Sequence, residues 1–75
     1  MNNEKPIPDI TFEHTGVYGP FNVYRCSIRG MRVGYVEYDT RDGTWTPNLA
    51  ILNKDQRIEA LEAWNDFMDA NLNKL

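Results

Sequence analysis

The sequence predicts a small α+β domain: an antiparallel meander of three to four strands packed against one C-terminal amphipathic helix, in ββββα order. Apolar and polar side chains alternate through much of residues 10–46, between turns that contain glycine, as in half-buried strands. Residues 53–75 contain no Gly or Pro and repeat apolar residues at helical spacing. A chain of 75 residues has room for one hydrophobic core, so one sheet and one helix are the expected limit.

Residues 1–9 are predicted to be a flexible lead-in, and residues 10–75 to form a single α+β domain. The lead-in contains two prolines and two asparagines without hydrophobic periodicity, a composition typical of unstructured termini. It has no apolar stretch like that of a signal peptide, and no segment of the chain is apolar over the length of a membrane span. We therefore expect a cytoplasmic protein without membrane attachment.

The first strand is predicted from the alternation in residues 10–15. Ile10, Phe12 and His14 share one face of the strand, and Thr11 and Glu13 share the other. Residues 15–21 then contain two glycines and a proline, so we expect a loop or wide turn there.

The next two strands are predicted to form a hairpin that turns at Arg29 and Gly30. A two-residue loop places Ile28 opposite Met31 and keeps the apolar residues on one face, whereas a three-residue loop does not. Arg29 must then adopt a positive φ, as a type I′ turn requires.

The third strand changes face partway along its length. A β-bulge at Gly34 or Tyr35 restores a single apolar face and turns Tyr35 outward. The residues on that face would be Met31, Val33, Val36 and Tyr38. The alternative is a sheet that is apolar on both faces, which would need a partner on the side away from the helix.

A second hairpin is predicted at Asp42 and Gly43, and it leads to a short fourth strand that carries Trp45. Pro47 is expected to end that strand, because proline cannot donate to the hydrogen-bond ladder. Residues 48–52 are expected to connect the sheet to the helix.

The helix is predicted to begin at Asn53, an N-cap residue that Gln56 completes as a capping box. Its core-facing stripe is expected to consist of Ile58, Leu61, Trp64, Met68, Leu72 and Leu75, with Ala60 and Phe67 at the edge.

The helix also carries a row of acidic residues within an arc of about 80°. The row consists of Asp55, Glu59, Glu62, Asp66 and Asp69. No Lys or Arg interrupts it, and like charges at these spacings disfavour a helix. One interpretation is a solvated helix face. The other is a docking surface for a basic partner, because complementary potentials speed encounter and select partners.

A second candidate surface combines arginines and a tyrosine on the sheet. It consists of Arg25, Arg29, Arg32, Tyr35 and Arg41. Arginine forks and aromatic faces on a sheet are used to bind single-stranded nucleic acids. The formal net charge of −3 weighs against that function. The alternative interpretation is that the arginines are solvated and the tyrosines belong to the core.

No catalytic, cofactor or metal motif is present in the sequence. Cys26 is the only cysteine, so an internal disulfide is excluded and a reducing compartment is expected. Cys26 and His14 lack an identifiable third residue for nucleophilic catalysis, and one histidine without a second ligand makes no zinc site. We expect a non-enzymatic protein without cofactor or metal.

The leading hypothesis from the sequence is an interaction domain that acts as an inhibitor or adaptor. Its acidic helix face would occupy a basic surface of a partner, including a nucleic-acid-binding surface of a nucleic-acid-handling complex, by nucleic-acid mimicry. Small anti-defence proteins of phages and mobile elements belong to this functional class. The alternatives are a nucleic-acid-binding module that uses the Arg/Tyr face, and a structural homodimer. As a free protein it would be a monomer or a homodimer.

Overall fold

A computed structural model describes residues 9–72 and confirms the predicted α+β fold. Four strands are hydrogen-bonded in chain order as an antiparallel meander: β1 (Ile10–Tyr18), β2 (Phe21–Ile28), β3 (Met31–Asp39) and β4 (Trp45–Asn48). The helix α1 (Lys54–Asn71) follows. The predicted lead-in lies outside the described residues except for Asp9, and so does Leu75 of the predicted stripe. Within residues 9–72, no helix has the length and apolar character needed to cross a membrane.

The loop predicted for residues 15–21 is wrong, because β1 continues to Tyr18 and pairs there with Phe21. The register shifts between His14 and Gly16, so Thr15 is an extra residue that the strand accommodates as a bulge. The turn is only two residues long, and its first residue, Gly19, has a φ of 60°, which favours glycine. The glycines and proline of this segment therefore serve a bulge and a tight turn within a continuous hairpin.

The β2–β3 hairpin has the predicted two-residue turn. Ile28 pairs with Met31, and Arg29 and Gly30 have φ values of 54° and 82°. Both turn residues thus adopt the positive φ that a type I′ turn requires. Met31 does not join the core as predicted, since it is 69% exposed at the end of the hairpin.

The predicted bulge in β3 is present, but one residue earlier than expected. Ser27 pairs with Arg32 and Cys26 with Gly34, so Val33 is the extra residue. Beyond the bulge Tyr24 pairs with Val36, and both side chains are buried on the helix side. Tyr35 turns outward, as the bulge hypothesis requires.

Gly34 is opposite the chain that leaves β4. A Cβ atom at this position would lie 2.3 Å from the backbone oxygen of Asn48 and 2.8 Å from the Leu49 side chain. The absent side chain therefore lets the segment after β4 cross close to β3. This crossing brings the buried side chains of Leu49 and Leu52 beneath the helix.

Pro47 does not end β4, which continues to Asn48, so that prediction is wrong. Pro47 pairs with Val36, whose N–H is directed towards β2 by the alternation of the ladder. The nitrogen of Pro47 therefore points away from β3, to the side where β4 has no neighbouring strand in the part of the chain that the structure describes. An edge strand tolerates proline in this orientation because no ladder hydrogen bond is lost.

The start of α1 is as predicted. The Asn53 side chain accepts a hydrogen bond from the Gln56 backbone N–H at 2.8 Å, and the Gln56 side chain accepts one from the Asn53 N–H at 3.0 Å. This capping box satisfies two N–H groups that lack partners within the helix.

The buried stripe of α1 agrees in part with the predicted one, since Trp64 and Met68 are buried and Leu61 and Leu72 pack partly buried against the core. Ala60, predicted at the edge, is also buried, whereas Ile58 is 47% exposed. At about 100° per residue, the centre of the buried stripe is displaced by roughly 50° from the predicted centre. The small side chain of Ala60, fully buried, lets the helix approach the sheet closely on that side.

Trp64 is the centre of the core. It is fully buried, and its ring lies 5.1 Å from the ring of Phe12, 5.4 Å from Tyr24 and 6.0 Å from Trp45. These centroid distances are typical of favourable aromatic pairs. The three partners come from β1, β2 and β4, so one helix side chain connects both halves of the sheet.

Replacing Trp64 by Ala should lower the free energy of unfolding by about 3–5 kcal/mol, because it leaves a cavity where a large ring was fully buried. Urea denaturation followed by circular dichroism measures this loss. Ile58→Ala is the matched control on the same helix and should change the free energy by less than about 0.5 kcal/mol, since half-exposed residues contribute little. Equal losses for the two variants would contradict the observed helix orientation.

Candidate functional site

The acidic residues of α1 form a continuous exposed strip, which we call the acidic row. Its members are Asp55, Glu59, Glu62, Asp66 and Asp69, and all are exposed. At about 100° per residue they span an arc of roughly 80°, and every residue of α1 within that arc is acidic. The centre of the arc lies about 180° from the centre of the buried stripe. The helix orientation therefore points the row directly away from the sheet.

The positive charges of α1 lie elsewhere on the helix. Lys54 and Arg57 fall about 100° and 160° from the centre of the row, and Arg57 lines a small crevice beside Pro47 and Leu61. Within residues 9–72, neither of the two salt bridges involves Asp55, Glu59, Glu62 or Asp66. The charges of these four carboxylates are thus not neutralised by Lys54 or Arg57 of the helix.

The acidic row weakens the helix that carries it. Neighbouring members are three or four residues apart, where like charges cost about 0.2–0.5 kcal/mol per pair in an isolated helix. Asp55 lies in the first turn, where the helix dipole favours a carboxylate, but the last turn contains no basic residue. Fold stability alone does not explain this arrangement.

The outer face of the sheet carries the second set of predicted residues, and two of its arginines are engaged in ion pairs. Arg25 on β2 forms a salt bridge with Glu13, its cross-strand neighbour on β1. Arg41 forms two hydrogen bonds with the Asp39 carboxylate, at 3.0 and 2.8 Å, and its guanidinium lies 5.8 Å from the ring centre of Phe21. These hydrogen bonds hold the pKa of Asp39 below its usual value.

The members of that set do not all lie together. Arg29 is in the β2–β3 turn, whereas Arg41 lies beyond the opposite end of β3. Tyr35 lies beside Arg25 across the β2–β3 ladder, and its hydroxyl accepts a hydrogen bond from the Asn48 side chain at 2.9 Å. The structure therefore brings Arg25, Arg32 and Tyr35 to one part of the outer face but does not assemble the five residues into one basic patch.

The outer face also forms an open groove of about 760 Å³ that the sequence-based prediction did not locate. Its apolar lining includes Val23, Tyr35 and Ile51, and Ile51 is 73% exposed. The signal in the sequence was Val23, an apolar residue that alternation places on the same face as Arg25. Both bulges were needed to establish which side chains meet there.

Cys26 and His14 lie on the helix-facing side of the sheet. Cys26 is fully buried, and burial raises the pKa of its thiol to about 11. His14 packs its ring 5.2 Å from that of Tyr24, its cross-strand neighbour. A buried thiol is protonated at neutral pH, so Cys26 has the properties of a core residue.

Among residues 9–72, no group of three or more His, Cys, Asp or Glu residues is arranged to hold a metal ion. Comparisons of the chain with known protein families, with curated proteins and with solved structures found no match. The function is therefore inferred from the geometry of the acidic row and of the sheet.

The raised pKa of Cys26 predicts a pH dependence of stability. Below about pH 9 the thiol is neutral in both states; between pH 9 and its folded pKa of about 11 it ionises in the unfolded chain only. The stabilisation by the buried thiol is therefore lost as pH rises through this range. The difference in free energy of unfolding between the native chain and Cys26→Ala should shrink by about 1 kcal/mol from pH 7 to pH 10. A constant difference in urea denaturation would contradict this prediction.

Reversing one charge in the acidic row should stabilise the protein. Glu62→Lys removes repulsion with Glu59 and Asp66 and replaces it with attraction, so the free energy of unfolding should rise by about 1 kcal/mol at low salt. Glu62→Gln removes the repulsion alone and should give about half of that gain. Urea denaturation measures both variants, and the gain should shrink in 1 M NaCl because salt screens exposed charges. A loss of stability in both variants would show that the row supports the fold.

Proposed function

We propose that the protein is a non-enzymatic interaction domain whose acidic row binds a basic surface of a partner protein. The observation that carries this proposal is the purity of the 80° arc: it contains only carboxylates and faces directly away from the core. Repulsion between these carboxylates lowers the stability of the folded domain. Neither salt bridge found within residues 9–72 involves Asp55, Glu59, Glu62 or Asp66. An interaction with an external cation would offset that cost.

The dimensions of the row indicate what kind of basic surface fits it. From Asp55 to Asp69 it is about 21 Å long at 1.5 Å per residue, with one negative charge per roughly 5 Å. A single nucleic-acid strand in a duplex carries one charge per about 3.4 Å of axis. A straight, rigid line of carboxylates can therefore occupy part of a groove that is lined by Lys and Arg to hold a phosphate backbone.

By occupying such a groove, the domain would act as an inhibitor or an adaptor of a nucleic-acid-handling protein. Electrostatic complementarity speeds association and excludes acidic partners. Because the row projects from one face of a helix that packs on the sheet, little backbone conformational entropy is lost on docking. The proposal therefore includes the class of anti-defence proteins that phages and other mobile elements encode.

Direct binding of nucleic acid by the sheet has weaker support. Arg25 and Arg41 already pair with Glu13 and Asp39, and Glu37 adds another negative charge to the lining of the outer groove. Affinity for a phosphate backbone comes from cations that displace counterions, and paired arginines contribute less to it. The acidic row remains the better candidate for the primary contact.

The proposal is tested by affinity capture from host lysate with the purified chain as bait. The double variant Glu62→Gln/Asp66→Asn should lose its captured partner, since it removes two central charges and leaves the size of both side chains unchanged. The double variant Thr46→Lys/Ala50→Lys is the matched control: it alters the net charge equally at exposed sites outside the acidic row. It should retain the partner.

Competition experiments on the captured complex then test whether the partner's basic surface binds nucleic acid. A short DNA duplex added in excess should displace the native chain, and raising the NaCl concentration should weaken the complex steeply. Capture that survives neutralisation of the row, or that fails equally in both double variants, would refute the acidic row as the contact.

A further inference from the structure

β1 presents an open strand edge. Among the described residues 9–72, β1 is paired on one side only, with β2. The backbone N–H of Arg29 donates to the carbonyl of Asp9 at 2.8 Å, so residues 9 and 29 are a hydrogen-bonded pair of the antiparallel ladder. Hydrogen-bonded and non-hydrogen-bonded pairs alternate along this register. Ile10, Phe12 and His14 therefore direct their N–H and C=O groups away from β2.

This edge lacks the features that protect the opposite edge. β4 has only four residues and includes Pro47, which has no N–H to offer a further strand. From Ile10 to His14, by contrast, β1 contains no Pro, Lys or bulge, since the register shift comes after His14. Residues 10–14 thus form a regular template for one more antiparallel strand.

We infer that the template pairs with the same segment of a second copy of the chain, around a two-fold axis at Phe12. Ile10 of each copy then lies opposite His14 of the other, and the two Phe12 residues lie opposite each other. These three pairs all join outward-facing groups, and each pair makes two hydrogen bonds in an antiparallel ladder, about six in total. A two-fold axis requires such reciprocal pairing.

The side chains of β1 favour this register over its neighbours. An axis at Glu13 would place the two Glu13 carboxylates opposite each other, and an axis at Thr11 would pair only Ile10 with Phe12 within residues 10–14. With the axis at Phe12, Glu13 of each copy lies opposite Thr11 of the other, and no like charges meet. The second copy is thus complementary to the edge in both hydrogen bonding and charge.

The same register continues the aromatic core across the axis. Phe12 is half-buried, and its ring lies 5.1 Å from that of Trp64 and 5.6 Å from that of Phe67. A second Phe12 at the cross-strand position would cover its remaining surface, and such aromatic pairs stabilise antiparallel sheets. The result is a continuous eight-stranded sheet with both helices on one side. Both acidic rows then face the same direction.

Dimer formation does not rest on the proposed function, because it is measured on the purified chain without a partner. Sedimentation equilibrium over about 1 μM to 1 mM, at fixed salt, should show a monomer–dimer equilibrium. A matched pair of variants at Thr11, which is exposed, tests the register. The two-fold axis creates two equivalent contacts between position 11 of one copy and Glu13 of the other. Thr11→Lys places a cation at both contacts, and Thr11→Glu places a carboxylate at both.

Thr11→Lys should lower the dimer dissociation constant and Thr11→Glu should raise it, each by about 2- to 30-fold for two cross-strand charge pairs. The corresponding pair at the other edge, Thr46→Lys and Thr46→Glu, should leave the constant within about twofold. A chain that stays monomeric at about 1 mM, or a dimer that responds equally to Thr11→Lys and Thr11→Glu, would overturn the inference. The acidic-row proposal would be unaffected by either result.

Discussion

The packing of Trp64 against the sheet is the interaction on which the remaining structure depends. Its ring contacts aromatic residues of three strands, and the small Ala60 one turn earlier lets the helix approach closely. This contact fixes the rotation of α1 about its own axis. That rotation exposes Ile58 and points the acidic row away from the sheet. The Trp64 Nε1 atom is buried without a hydrogen-bond partner among the described residues, so aromatic burial outweighs a cost of about 1–3 kcal/mol.

Two bulges make the sheet compatible with that core. An extra residue reverses the face of every later side chain in a strand, because side chains alternate with a period of two. The bulge at Val33 keeps Val36 on the same side as Tyr24 and Cys26, and the bulge at Thr15 maintains the pairing of β1 with β2 up to the turn. The bulge at Val33 also places Tyr35 on the outer face, beside Arg25 of β2. That register change therefore shapes both the core and the outer groove.

The distribution of charge separates the two faces of the molecule. Arg25 and Arg41 each pair with a nearby carboxylate, and the outer groove is lined by Glu37 as well as Arg32, so the outer face has little net charge of its own. On the helix, the carboxylates lie in line and the helix cations lie on other sides. A surface whose charges pair with one another has little driving force to attract a polyanion, whereas a row of aligned carboxylates attracts a cationic surface. If two copies pair through β1, two such rows would face one partner or two equivalent partners.

Four features could be predicted from the sequence: the order of elements, the two-residue turn at Arg29 and Gly30, the capping box at Asn53 and the existence of an acidic arc. These features depend on side chains within a few residues of one another, where turn chemistry and helical periodicity decide the outcome. Three-dimensional packing was needed to establish which helix residues are buried, where the bulges lie and which arginines are paired. These outcomes depend on contacts between distant segments: Ala60 against the sheet, Gly34 against Asn48, and Arg25 against Glu13. Local periodicity cannot specify them, because Ile58 and Ala60 both fit an amphipathic helix until the shape of the sheet selects between them.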